Sequence, residues 1–99
     1  CRGMQIISSF FGGTLKSVDG HSATKHTITN NSSRYVNSYH SFAIDNLPEC
    51  FNVISRSNDN NIESISHKTL PWDGLMWHPE REKSIHYIDK EMIKALFNI

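Results

Sequence analysis

No apolar run in this 99-residue sequence approaches the roughly 20 residues a membrane-crossing helix needs, so no membrane partner is expected. Neither sign of charge dominates: ten basic residues balance ten acidic ones for a formal net charge of +0. That leaves no electrostatic footprint for nucleic acid or an anionic surface. Cysteine is scarce, with two in the chain. They can form one disulfide at most, but Cys1 as a candidate nucleophile must stay reduced, and Cys50 beside Pro48-Glu49 reads as a partly buried free thiol, which points to a reducing cytoplasm. Repeats and long linkers are absent, and the length fits at most one domain with a modest core. Metal-binding spacing is also lacking. The six histidines, His21, His26, His40, His67, His78 and His86, follow neither a His-Glu-x-x-His pattern nor paired-cysteine spacing. No metal or cofactor is therefore expected, and His21 and His26 read as loop residues at a site rim, with proton sharing or phosphate contact as the functional alternative.

What the sequence does have is a nucleophile, a base and a carboxylate in one chain order. Cys1-Arg2-Gly3-Met4-Gln5 stands at one end and Trp77-His78-Pro79-Glu80 near the other. A thiol attacks as thiolate, and its usual pKa of about 8.5 falls at a helix N-terminus or beside a histidine. Met4, Ile7, Phe10 and Phe11 recur at near-helical spacing and Gly12-Gly13 follows as a stop, which predicts a helix starting just after Cys1. Gly3 suits the sharp strand-to-helix turn of a nucleophile elbow, and the backbone N–H of Arg2 is the natural oxyanion donor. The Arg2 side chain has two equal readings, an ion-pair partner beneath the elbow or a substrate contact. Gly74 to Trp77 reads as a short buried strand that Pro79 ends. Residues two apart in extended chain share a side, so Glu80 can accept a hydrogen bond from the His78 ring nitrogen facing away from Cys1.

Elsewhere, Thr14 to Val18 reads as a strand, and Asp19 to Ser33 as a loop around a short strand at His26 to Thr29. Arg34 to Ser38 is strand-like, and Asn46 to Glu49 is a turn. Phe51 to Ser57 and Ile62 to His67 alternate as an antiparallel pair joined at Asn58 to Asn61. Asp89 is placed to cap a last helix whose Met92, Ile93, Leu96 and Phe97 would dock on the sheet. Trp72 and Trp77 read as core or pocket wall, and the glycosylation triplets in Asn30-Asn31-Ser32-Ser33 as accidental in so Asn- and Ser-rich a stretch.

Cys-Arg-Gly-Met-Gln with a downstream Trp-His-Pro-Glu resembles class I glutamine amidotransferases, especially their γ-glutamyl hydrolase branch. Gly12-Gly13-Thr14-Leu15 and Val36-Asn37-Ser38-Tyr39-His40 match that branch in the same order. The resemblance implies an α/β fold: the C-terminal half of a flavodoxin-like domain with a central, mostly parallel sheet flanked by helices, spanning residues 1–99. The N-terminal half of the same domain would be the first partner, supplying central strands and a glycine-rich loop with the second oxyanion donor. The resemblance also implies that Cys1 attacks the γ-carbonyl of a glutamyl group to form a thioester, that His78 moves the proton and that Glu80 orients His78. Gln5 would hold the glutamate moiety, with Ser38, Tyr39, His40, Ser41 and Phe42 forming the substrate-recognising segment. His40-Ser41-Phe42 departs from the His-His-Gln of many γ-glutamyl hydrolases toward the His-Gly-Phe-Ala of some amidotransferase subunits, which leaves substrate choice beyond glutamyl open.

The run from Cys1 to Phe11 and through Ser41-Phe42 is similar to a bacterial branch that cleaves γ-L-glutamyl-CDP-amidate to free cytidine diphosphoramidate for capsule modification. The competing functions are a glutaminase subunit delivering ammonia to a partner synthase and a γ-glutamyl-polyamine hydrolase. An N-terminal-nucleophile amidotransferase would make His78 and Glu80 irrelevant and would start a strand at Cys1. A pseudo-enzyme serving only assembly would not need Cys1, Gln5, His78 and Glu80 intact.

Overall fold

The computed structural model describes residues 1–22, 24–29 and 33–97; the glycosylation triplets expected to be accidental begin at Asn30 and Asn31, outside the described residues. Helix α1 spans Arg2–Phe10 with Cys1 as its N-cap. It turns Met4 and Ser8 inward, and Gly12 at φ +94° takes the left-handed backbone that ends the helix at little steric cost to a glycine. A helix rather than a strand at Cys1 removes the N-terminal-nucleophile alternative's structural premise.

Seven strands follow among the described residues: β1 Thr14–Ser17, β2 Thr24–Thr29, β3 Ser33–Ser38, β4 Phe42–Asn46, β5 Phe51–Ser57, β6 Ile62–His67 and β7 Asp73–Leu75. β1 pairs with β4, and the remaining five form a sheet in the order β3-β2-β5-β6-β7. Every pairing among the described residues is antiparallel. The expectation of a mostly parallel sheet flanked by helices is therefore corrected for this stretch. A parallel neighbour requires a crossover of a dozen or more residues, usually helical, and among the described residues no helix intervenes between β1 and β7.

The β5–β6 hairpin forms over the expected residues, with Asn60 at φ 68° in its turn. β2 is longer than its β-branched tail suggested, because Thr24 to Thr29 pair in full with Ser38 to Ser33. β4 was missed, since its exposed Phe42, Asp45 and Asn46 hide the alternation around buried Ala43 and Ile44. The Gly74-to-Trp77 strand is also shifted: β7 stops at Leu75, and Met76 and Trp77 are buried beyond it.

The main core gathers Met4, Ile44, Phe51, Ile62, Ile65 and Met76, with Cys1, Ile7, Leu47 and Cys50 packed against it. Each such side chain contributes about 1.5–3 kcal/mol by leaving water. Gly74 lets α1 approach this closely: a Cβ there would lie 2.9 Å from Met4 Cγ and 3.1 Å from Ile65 Cγ1. A smaller cluster of Ile28, Val36 and Trp77 sits at the β2–β3 side. Cys50 is a half-buried free thiol. Trp77 is core, whereas Trp72 is partly exposed and packs its ring against Phe11 and His67.

Helix α2 spans Tyr87–Phe97, so Asp89 does not cap it. The carboxylate is buried instead, 2.5 Å from Arg34 Nη2 and 3.3 Å from Trp77 Nε1. Nor does the whole apolar face dock: Met92 and Leu96 are half-buried, while Ile93 and Phe97 are exposed. A cavity of about 510 Å³ lined by Ile54, Leu75, Trp77, Ile88 and Met92 among others lies between α2 and the sheet. No helix among the described residues is long and apolar enough to cross a membrane.

Candidate active site

The first intrahelical bond of α1 runs from Gln5 N–H to the Cys1 carbonyl at 3.0 Å, so the amides of Arg2, Gly3 and Met4 precede the ladder and remain available to an anion. The Cys1 thiol makes no capping bond to its own helix. Its Sγ lies instead 3.3 Å from His78 Nε2, and His78 Nδ1 is 2.8 Å from Glu80 Oε2. A carboxylate only accepts, so Nδ1 carries the proton and Nε2 faces the thiol with its lone pair. Burial by itself would raise the Glu80 carboxyl, but the hydrogen bond and charge of His78 outweigh it and hold the group below its ordinary value. Glu80 opens to solvent in the short 3₁₀ turn Pro79–Arg81 that follows His78.

His78 is held in place by a residue to which the sequence assigned no role of its own. Asn37, buried on β3, accepts the His78 backbone N–H at 2.8 Å through Oδ1 and donates Nδ2 to the His78 carbonyl at 2.7 Å. The same Nδ2 reaches Glu82 Oε1 at 2.9 Å. The signal was available: an amide at an inward position of a strand must find partners when buried. Tyr39 sets its ring edge-on to His78 at 6.0 Å, with the Arg81 guanidinium 4.4 Å above it.

The expected substrate segment divides. Gln5 donates Nε2 to the Phe42 carbonyl at 3.3 Å, and both residues line a shallow cleft of about 350 Å³ with Arg2, Leu15, Lys16 and Ser17. Tyr39 and Ser41 are exposed. Ser38 and His40 turn away from Cys1: the Ser38 hydroxyl is fully buried and donates to the His21 carbonyl at 2.5 Å. The His40 ring is buried, with Nδ1 2.9 Å from the Phe42 carbonyl. Their inward positions follow from the β3 pleat and the turn after it, so any contact of theirs with substrate passes through backbone. Gly3 also differs from expectation, since a Cβ there meets nothing within 4 Å among the described residues. The Arg2 side chain is exposed at the cleft, which favours a substrate contact over an ion pair beneath the turn.

His21 and His26 do not lie on a rim. Both are buried, and with His40 and Glu63 they place one ligating atom each within 4.8 Å of one another. Burial would raise the Glu63 carboxyl, but the His26 hydrogen bond and the His40 imidazole hold it below the ordinary range.

A thiol at a helix N-terminus, a histidine in contact with it and a carboxylate behind the histidine fit acyl transfer from an amide. Residues 1–97 match the family described as glutamine amidotransferase class-I. The chain belongs to the class I glutamine amidotransferases. It is 33% identical over 100 residues to the γ-glutamyl-CDP-amidate hydrolase of Campylobacter jejuni, covering 100% of this chain and 48% of that protein. It is also 33% identical to a glutamine-hydrolysing GMP synthase subunit of Methanospirillum hungatei, over 81% of this chain and 48% of that one. Among solved structures it resembles one described as a GMP synthase subunit protein from Thermoplasma acidophilum, with a TM-score of 0.83 and 23% identity, covering 99% of this chain and 55% of that one. The similarity in shape supports the amidotransferase fold, and this amidotransferase chain spans about half the length of the curated relatives it matches.

Proposed function

We propose that the whole protein hydrolyses a γ-glutamyl amide through a glutamyl thioester on Cys1. The carrying observation is the line Cys1 Sγ, His78 Nε2, His78 Nδ1, Glu80 Oε2, with steps of 3.3 and 2.8 Å, at the open N-terminus of α1. His78 takes the thiol proton as sulfur bonds to the γ-carbonyl carbon. The Arg2 N–H faces the oxyanion, one such donor being worth about 2.7–4 kcal/mol. The C–N bond then breaks as His78 returns the proton to the departing nitrogen. Water, deprotonated by His78 Nε2, attacks the thioester; the C–S bond breaks, glutamate leaves and His78 returns the proton to the Cys1 sulfur. Glu80 keeps His78 in the right tautomer throughout. Gln5 and the 38–42 segment hold the glutamyl moiety.

The favoured substrate is γ-L-glutamyl-CDP-amidate, giving cytidine diphosphoramidate for capsule phosphoramidate synthesis. Two observations support it: the full-chain similarity to the Campylobacter hydrolase, and the Arg2 and Lys16 cations in a cleft with no acidic side chain in its lining among the described residues, which suits a diphosphate-bearing amide. A second reading, a glutaminase subunit that passes ammonia to a synthase, is favoured by relatives named as synthase subunits or small chains. A γ-glutamyl polyamine gives those two cations no anionic partner beyond the glutamyl carboxylate. A reducing cytoplasm suits the free thiols at Cys1 and Cys50.

Mass spectrometry of the whole protein after separate exposure to γ-glutamyl-CDP-amidate, L-glutamine and a γ-glutamyl polyamine, scoring glutamate and a glutamyl adduct on Cys1, tests this. Release from the nucleotide amidate alone is expected, with Cys1→Ala inactive and Glu80→Gln impaired less. Turnover of glutamine alone reassigns the substrate, and wild-type turnover in Cys1→Ala overturns the mechanism.

A further inference from the structure

We propose that His21 Nδ1, His40 Nε2 and Glu63 Oε2 form a zinc-binding site beneath the substrate segment, with His26 orienting the Glu63 carboxylate and a water as the fourth ligand. The three atoms lie at mutual distances of 3.3 Å (His21 to His40), 3.4 Å (His40 to Glu63) and 3.7 Å (His21 to Glu63). A tetrahedral zinc with bonds of about 2.0–2.1 Å sets its ligand atoms about 3.3–3.4 Å apart, so these positions need little adjustment to receive one.

The outer nitrogens determine which lone pairs face inward. His40 Nδ1 is 2.9 Å from the Phe42 carbonyl, which can only accept, so Nδ1 is the protonated nitrogen and Nε2 points a lone pair into the cluster. His21 Nε2 is 2.6 Å from the Asp59 carboxylate, so its Nδ1 likewise points a lone pair inward. These backbone-carbonyl and carboxylate partners are the ones that orient histidine ligands in metal sites. Two lone pairs facing each other at 3.3 Å repel unless a positive charge lies between them.

A proton shared between the two nitrogens would relieve that pair and leave Glu63 Oε2 a long contact of 3.4 Å with His40 Nε2. Glu63 Oε2, in a side chain with no exposure, has no hydrogen-bond partner among the described residues, and a buried acceptor left so is costly. One divalent cation meets all three needs at once. His26 Nε2 donates to the other carboxylate oxygen, Oε1, at 2.8 Å, which fixes the direction of Oε2. The mixed imidazole and carboxylate donors suit zinc. The cluster's place in the fold gives the ion a task. His21 and His40 are already joined through backbone at 3.0 Å, and the Phe42 carbonyl is shared by His40 and Gln5, so a bound ion would pin the segment that borders the cleft.

The test uses the whole protein in a Cys1→Ala background, which removes the thiol beside His78, purified without a metal-affinity tag and stripped with chelator. Titration with Co²⁺ is expected to give one equivalent bound, with the visible d–d bands of a four-coordinate nitrogen and oxygen site, displaced by Zn²⁺. His21→Ala and Glu63→Gln should abolish the bands, and Asp59→Asn, at a partly exposed position, should weaken affinity about 10–100-fold. Failure of the stripped parent to take up either ion overturns the proposal, as does cobalt binding that survives both His21→Ala and Glu63→Gln. If those two variants do not fold, the parent titration and Asp59→Asn still decide.

Discussion

Replacing Asn37 separates the positioning of His78 from its chemistry. Three of the four hydrogen bonds open to the Asn37 amide are made: Oδ1 to His78 N–H at 2.8 Å, and Nδ2 to the His78 carbonyl at 2.7 Å and Glu82 at 2.9 Å. Each such bond is worth about 0.5–1.5 kcal/mol net, and a buried group stranded by its loss about 1–3 kcal/mol. Asn37→Ala should therefore destabilise by about 2–4 kcal/mol, read from urea unfolding at unchanged m-value. The catalytic effect is expected to be larger. Nothing else among the residues just described fixes the His78 backbone in two directions, and a shift of about 1 Å in a reacting group costs about 100-fold in rate. With γ-glutamyl-CDP-amidate as substrate, kcat should fall about 100-fold while KM changes little, because Asn37 does not line the Arg2–Gln5–Phe42 cleft. Asn37→Asp, nearly isosteric, should lose as much activity, since its carboxylate would oppose the His78 carbonyl and Glu82. Iodoacetamide labelling of Cys1 gives a substrate-free readout and should slow in both variants. If Asn37→Ala loses stability but keeps wild-type kcat and labelling rate, Asn37 is structural and the positioning argument fails.

Asp89→Ala leaves the largely buried Arg34 guanidinium, 14% exposed, without its 2.5 Å partner and frees Trp77 Nε1; a loss of about 3–5 kcal/mol is expected by urea unfolding, and a loss under about 1 kcal/mol would mean α2 is held by other contacts. Gly74→Ala drives a methyl to 2.9 Å from Met4 Cγ, so α1 must shift or Met4 change rotamer, with a destabilisation of about 1–3 kcal/mol that Met4→Ala should partly relieve; no loss in the single variant would refute the close approach. Because the folded Glu80 value lies below the ordinary one, its contribution to stability is present above about pH 4.3 and is lost as pH falls through the depressed value. At 66% side-chain exposure that contribution is small, so carbon-13 titration of the Glu80 carboxylate is the better check: a midpoint below about 4.3 is expected, moving up in His78→Ala, and a midpoint at or above it contradicts the pairing.

The elements whose partners lie nearby in sequence were the legible ones. The β5–β6 hairpin followed from alternation on both sides of a polar turn, and α1 from the spacing of Met4, Ile7 and Phe10 ahead of two glycines. His78 and Glu80 could be paired because they stand two residues apart, although Glu80 is carried by a 3₁₀ turn rather than by the extended chain expected, whereas bringing Cys1 to His78 needed the family resemblance, since local pattern cannot report a contact 77 residues apart. Strand direction was misjudged for a related reason: the resemblance describes a whole domain, while the short connections that join β2 to β3, β5 to β6 and β6 to β7 admit only antiparallel neighbours.

The histidine cluster lay beyond both kinds of signal. Its members stand at 21, 26, 40 and 63, with no metal-motif spacing, and they meet because β2 pairs with β3 on one side and with β5 on the other, next to β6. Reading His21 and His26 as solvated loop residues followed from the polar composition around them, yet composition says nothing about which face of a strand a side chain takes. Once β2 runs from Thr24, the pleat turns His26 and Ile28 inward together. The backbone bond from His40 to His21 then closes the mouth of the hairpin over them. A sheet register, once known, therefore carries more information about ligation here than the histidine spacing does.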